Sequence, residues 1–484
     1  MLKKARRFLY LFHRWLGIVL CLWFVLLFAS GVIMMYVEYP ELTEEERLWQ
    51  MQALDATAVR LSAADAARIA GDDSFAALTL STVLGRPAYQ MVDAAGGVTT
   101  VFADNGDQLG PLRVEDALTA ARHSRFSDDT TTPRYDALVN IDQWTVSSVL
   151  DMHRPLHRIA LDDDGTVVYI SGTSGRIVRD TNRSERFWNW LGSTIHWIYP
   201  WQFRQHTDLW VDVLTYLSLA GMLAVLSGAV VGWWRLRVRH KYRGGRSTPY
   251  TGWQKWHHVL GLACVLFVST WTFSGLMSML PWGIFDNATD VAKPLARYYG
   301  GDIERLDRFP SLQSVWEQDG EPVKEVEWRR IGEVSYLVAS YSAAAKTAVL
   351  PQGHTNETLQ ALVMRQLQSL LPQARITGQR VITQYDSWYY SHHNRYRPLP
   401  ALEVRFDDAE QSWFHIDLDT GAVVQRLTVT DRWARWLYNG LHSFDFALLF
   451  QHRPLWDVVL ILLLACGFIF TLTAVVIGWR RLRT

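Results

Sequence analysis

Cysteine is nearly absent from this chain. Its 484 residues hold three, Cys21, Cys264 and Cys466, and each lies inside a long apolar run. They cannot staple an extramembrane domain, and they are too few and too scattered for an iron–sulfur cluster. No Cys-x-x-Cys-His occurs, which excludes covalent c-type haem. No Gly-x-Gly-x-x-Gly or P-loop occurs, so no nucleotide or dinucleotide site is read. Net charge is zero, with 48 basic and 48 acidic residues, and points to no nucleic-acid partner. Acidic residues are missing altogether from 235–255, a stretch rich in Arg and Lys.

Apolar surface is what the chain has in quantity. Hydrophobic residues make up 49% and there are 23 Trp. Four runs hold about 20 apolar residues each, the length a helix needs to cross a bilayer. The chain therefore reads as a multi-pass membrane protein in contact with lipid. The first run follows Lys3, Lys4, Arg6, Arg7 and Arg14 like the core of a signal peptide, but it is too long for one. We expect it to be retained. Basic residues at 1–14, 235–255 and 480–483 place those three segments in the cytoplasm. The four helices then alternate in direction, with both termini cytoplasmic and both long segments outside. The expected layout is helix 1 in 1–37, an outer domain in 38–207, helix 2 in 208–235 and a basic loop in 236–255. Helix 3 in 256–281, a second outer domain in 282–453, and helix 4 with the tail in 454–484 complete it.

The helices form one hairpin that occurs twice. His13-Arg14-Trp15-Leu16-Gly17 opens the first copy and His257-His258-Val259-Leu260-Gly261 the second. Gly232-Trp233-Trp234-Arg235 closes the first and Gly478-Trp479-Arg480-Arg481 the second. Ser30-Gly31 falls opposite Ser274-Gly275. Three histidines recur as pairs: His13 with His257, His196 with His442, and His206 with His452. Each outer segment reads as small α+β structure. Ala58–Ala70 and Thr358–Leu371 have helical spacing. Ala88–Val92 and Val98–Ala103 flank Gly96-Gly97, a hairpin signal, and Ile159–Asp162 and Val167–Ile170 flank Asp164-Gly165. Val334–Ala339, Ala401–Phe406 and Trp413–Asp417 read as strands.

These residues resemble the PepSY-associated transmembrane family, also known as iron-regulated membrane proteins. The likeness rests on His13-Arg14-Trp15-Leu16-Gly17 with Ser30-Gly31, on Leu441-His442-Ser443 with Arg453-Pro454-Leu455-Trp456-Asp457, and on the closing Gly478-Trp479-Arg480-Arg481. Asp417-Leu418-Asp419-Thr420-Gly421 and Leu61-Ser62-Ala63-Ala64-Asp65-Ala66 are similar to PepSY modules. The first copy departs from the pattern, with Gln205-His206-Thr207-Asp208-Leu209-Trp210 where the second has the Arg-Pro-Leu-Trp-Asp run. The resemblance implies four membrane helices with two periplasmic α+β, PepSY-like domains. It also implies, as for some members, a reductase of ferric siderophores in the bacterial inner membrane that carries two b-type haems. Other members have no assigned activity.

A haem b in a helix bundle needs two imidazoles from different helices facing each other across the iron. His13 and His257 would share one depth and His196 and His442 another. The roughly 30 Å hydrocarbon core separates the two levels, so one haem cannot bridge them. Two pairs give two haems and an electron path from cytoplasm to exterior. His206 and His452 are alternatives for the outer pair or flank propionates, and His258 is an alternative to His257. Arg14, Arg204 and Arg453 are propionate partners by this reading or ordinary interfacial charge. The plain rival for each histidine is an interfacial anchor.

Trp388, Tyr389, Tyr390 and Arg395 form an aromatic and basic stretch suited to a large anionic iron chelate, or else core packing. His392 and His393, being adjacent, make a poor metal site. With no flavin or nicotinamide motif, the electron donor on the cytoplasmic side is a separate reductase or the quinol pool. The rival functions are a haem-free anchor whose PepSY modules bind or regulate a periplasmic partner, and a transporter. Against transport, the helices carry no charged residue away from their ends.

Overall fold

The computed structural model describes residues 2–127, 131–161, 165–284, 292–318, 321–351, 356–391 and 395–484. The chain divides into two compact units. One holds 1–39, 187–287 and 430–484; the other holds 40–186 and 288–429.

Four helices form the first unit: α1 (Leu2–Met34), α2 (Thr207–Arg235), α3 (Gly252–Met277) and α4 (Leu455–Leu482). Each is long and apolar enough to span a membrane. Their outer faces carry the largely exposed Val19, Leu266 and Leu462, which suits a surface solvated by lipid. Inside, α1 packs on α2 and α4, and α3 packs on the same two. Leu20, Phe24, Phe28, Ala224, Cys264, Val268 and Leu464 meet along the bundle's centre. The three cysteines are free, as their positions in the apolar runs imply.

One close approach sets how near α1 and α4 can come. A Cβ added to Gly467 would lie 2.2 Å from Cε1 of Phe28. Gly467→Val is therefore expected to cost about 1–3 kcal/mol by overpacking, read as a lower melting temperature of the purified protein. Shortening the opposing ring with Phe28→Leu should recover part of that loss. An unchanged melting temperature in the single variant would show that the helices have slack here.

The second unit is built of strands. The first half of the chain gives β1 (Ala77–Val83), β2 (Arg86–Val92), β3 (Val98–Phe102), β4 (Arg134–Val139), β5 (Leu156–Ala160), β6 (Val167–Ser171) and β7 (Ile177–Thr181). The second half gives β8 (Glu325–Ile331), β9 (Val334–Ser340), β10 (Lys346–Val349), β11 (Ile376–Ile382), β12 (Ala401–Phe406), β13 (Trp413–Asp417) and β14 (Val423–Leu427). Strands β4 to β7 form one four-stranded sheet and β11 to β14 another. The other six form a single sheet in the order β10-β9-β8-β1-β2-β3. The repeat seen in the membrane helices thus continues outside them. Each half supplies three strands to the shared sheet and four to a sheet of its own.

The two α+β segments expected between the helices are both present, and the shared sheet joins them. β1 and β8 pair antiparallel, Thr79 with Glu327 and Ser81 with Glu325, and the two outer segments lie in one compact unit. A pairing between strands nearly 250 positions apart leaves no local mark in either sequence. The expected boundaries at 207/208 and 453/454 move, since 187–206 and 430–453 belong with the helices.

Local signals fare better. Val92 pairs with Val98 around Gly96-Gly97. β5 and β6 pair antiparallel, though Asp164 of the expected turn lies outside the described residues. The first helix begins at Ala63 because Ser62 caps it: the Ser62 hydroxyl accepts from the Asp65 N–H while the Asp65 carboxylate accepts from the Ser62 N–H. The second runs Asn356–Leu370 and covers Leu402, Val404, Phe414 and Ile416 of β12 and β13.

Candidate functional site: two imidazole pairs

His13 and His257 face each other near the basic ends of α1 and α3, with ring centroids 6.4 Å apart and planes 33° apart. His196 and His442 meet at the opposite end, with centroids 6.2 Å apart and planes at 90°. Each pair takes one histidine from each half of the chain. Ser30 lies 17 positions after His13, and Ser274 lies 17 after His257. At 1.5 Å per residue the levels stand roughly 25 Å apart along the helices.

Hydrogen bonds fix the protonation of all four rings. His13 Nδ1 lies 3.1 Å from the Ala224 carbonyl, which only accepts, so Nδ1 carries the proton. His257 Nδ1 lies 3.1 Å from Oγ1 of Thr473, whose hydroxyl is already donated to the Phe470 carbonyl. His196 Nδ1 lies 3.0 Å from Oγ of Ser30, which donates to Leu26. His442 Nδ1 lies 2.9 Å from Oγ of Ser274, which donates to Trp271. A hydroxyl spent on a carbonyl accepts from the imidazole. Every ring is therefore protonated at Nδ1 and keeps the Nε2 lone pair for a ligand.

That donor set fits an iron held between two imidazoles. With about 2 Å from iron to each nitrogen, the ring centroids of such a pair stand roughly 6 Å apart, and either interplanar angle is allowed by rotation about the bond axis. A cavity of about 910 Å³ opens at the basic end, lined by His13, His257, Gly17, Gly261, Phe470 and the cations Arg14, Arg480 and Arg481. That is room for a planar cofactor, and the lining cations would suit one that carries carboxylates. Gly228 makes space for the ligand itself, since a Cβ there would lie 2.6 Å from Cε1 of His13. Phe470 stacks on His257 at 5.0 Å.

The remaining expected residues lie elsewhere. His206 is exposed at the N-cap of α2. His452 is exposed too, with Nδ1 on the Leu448 carbonyl. His258 has both nitrogens engaged, Nδ1 with Thr248 and Nε2 with the Gly232 carbonyl, each at 2.9 Å. It fastens the basic loop and has no lone pair to spare. Arg204 and Arg453 lie over the faces of Trp210 and Trp456, each 4.6 Å from the ring centroid.

The aromatic stretch of the strand unit does not form one surface. Tyr389 is buried, stacked 4.9 Å from His415, with its hydroxyl on the Pro398 carbonyl. Trp388 meets the edge of Trp413 and Arg395 pairs with Glu41. Tyr390 is partly buried. His392 and His393 lie outside the described residues.

The PepSY-associated TM region family matches residues 10–325 of the chain. The chain belongs to that family. The match takes in α1, α2, α3, three of the four paired imidazoles and the first seven strands. No curated protein matches.

Sequence reasoning missed the residues that hold this family member's histidines. Ser30 and Ser274 were visible as a repeat beside glycine, and Ser227 and Thr473 are equivalent positions in α2 and α4. Their signal was a hydroxyl at matching places in both halves of an otherwise apolar helix. Trp210 and Trp456 act on the same turns. The Trp210 indole N–H donates to the Trp197 carbonyl at 3.0 Å and the Trp456 N–H to the Ser443 carbonyl at 2.9 Å. Each carbonyl belongs to the residue that follows a paired histidine. The next residue along, Ile198 or Phe444, has a left-handed backbone, with φ of 49° and 54°. Such a conformation costs a β-branched or bulky residue on the order of 1–3 kcal/mol and persists only where its surroundings enforce it.

Proposed function

We propose that this membrane protein is a b-type cytochrome with two haems, one at each imidazole pair, that passes electrons across the bacterial inner membrane to a ferric siderophore outside. Support comes first from one observation: two imidazole pairs at the spacing of paired iron ligands, all with Nε2 free, at opposite ends of a membrane bundle. Haem b, when bound, supplies a one-electron iron couple whose ligands need not change with redox state.

The chain's own residues do the rest. The Nδ1 hydrogen bonds hold each ring in the ligating tautomer. Arg14, Arg480 and Arg481 offer charge to carboxylates at the basic end, which the positive-inside rule puts in the cytoplasm. Between the levels, Phe28 meets Trp271 at 5.8 Å and Trp271 meets Phe267 at 5.2 Å, an apolar filling that excludes water. Reduction of Fe(III) to Fe(II) outside weakens a hard-oxygen chelate, so no general acid, base or nucleophile is required. The donor is a reductase or quinol at the basic end.

The deciding experiment is an absorption spectrum of the purified protein before and after dithionite. A b-type Soret and α band with two haems per chain is expected. A colourless preparation from cells given ample haem would overturn the reading and favour a haem-free PepSY anchor. Ser30→Ala should loosen the outer site alone, by roughly 10- to 100-fold in haem retention, measured as haem lost to apomyoglobin. Equal loss from both sites would show that the hydroxyl acts on the fold and not on His196.

A further inference from the structure

We infer that Trp210 and Trp456 are positioning residues that clamp two strained turns and so set the outer imidazole pair; this rests on the haem reading above. The arrangement occurs twice. His196 and His442 each end a helical piece that lies outside the four membrane helices. Their rings are tied from one side by Ser30 of α1 and Ser274 of α3. Their backbones are tied from the other by Trp210 of α2 and Trp456 of α4. Trp210 also reaches the Ile198 carbonyl, at 3.2 Å.

The clamp sits at the strained peptide. Ile198 and Phe444 are each two residues past the histidine, and both are held left-handed where glycine would be the ordinary choice. Left alone, such a residue relaxes to negative φ and swings the preceding histidine. The indole N–H donates into that turn, and losing it leaves a carbonyl without its donor in an apolar setting. Arginines over both indole faces keep the rings in place, with Tyr199 edge-on to Trp210 at 5.6 Å. An indole donor, a histidine and a left-handed residue in the same order in both halves is hard to obtain from packing alone. The inner pair has no such device, since His13 and His257 lie within α1 and α3.

Trp456→Phe keeps an aromatic ring and removes the donor. Haem per chain should fall from two toward one, with loss or broadening of the outer centre's low-spin signal in electron paramagnetic resonance. The inner centre should be unmoved and serves as the control for folding. Phe444→Gly removes the strain the clamp opposes. Added to Trp456→Phe, it should restore the outer centre, while alone it leaves two haems. Trp210→Phe with Ile198→Gly repeats the test in the other half. Two unaltered centres in both tryptophan variants would overturn the clamp, as would a failure of glycine to rescue. A colourless wild-type protein would instead overturn the haem reading itself.

Discussion

His257→Ala is expected to leave the purified protein with one haem in place of two. Its Soret absorbance per chain should halve, and a redox titration should lose one of two waves. The size of the effect follows from the neighbours. His13 stands 6.4 Å from His257 and no third imidazole among the described residues shares the contact, so the variant would have one imidazole left to hold a haem there. His258 is next in sequence but points elsewhere on the helix. Both of its nitrogens are already bound, by Thr248 and Gly232. It cannot take over without releasing the basic loop. His258→Ala should accordingly keep both haems. His196 and His442, roughly 25 Å away along the helices, should keep theirs in either variant. Retention of two haems by His257→Ala would sink the assignment of the inner pair.

Glu325→Gln should destabilise the strand unit by about 3–5 kcal/mol, the range for removing one partner of a buried ion pair. Glu325 is buried on β8 at the seam with β1. Arg47 grips both of its oxygens at 2.9 Å, and Arg176 approaches to 3.4 Å while also donating to Thr79 and Ser81. The glutamine keeps the shape and removes the buried charge between two guanidinium groups, leaving Arg47 only the more distant, half-exposed Glu44 at 3.9 Å. Hydrogen exchange on the full chain would read this as lost protection in β1 and β8. Unchanged protection would mean that apolar burial, not the ion pair, joins the halves.

The same carboxylate sets a pH dependence. Burial alone would raise its pKa, but Arg47 and then Arg176 outweigh that and hold it down, at about 2. A depressed carboxylate contributes stability that is full above its unfolded value, about 4.3. That contribution fades as pH falls through about 2. The wild-type protein should lose the joint between its halves in that window, and Glu325→Gln should show no such step.

The membrane helices, the repeat and the three recurring histidine pairs were all legible in the amino-acid sequence. Length, apolarity and register are properties of a stretch of chain, and a helix satisfies its own backbone wherever it lies. It also marked the hairpin at Gly96-Gly97, whose partners are neighbours. Tertiary structure alone decided which histidines meet, because His13 and His257 are brought face to face by helix packing, and His206 and His452 are left on the surface by the same packing. It alone joined β1 to β8, a pairing with no local cue, and it alone buried Tyr389 against Ile382 and Ala401. Most telling are Ser30, Ser274, Trp210 and Trp456. Their side chains have ordinary places in a membrane helix, and they became holders of imidazoles only once a second helix stood beside them.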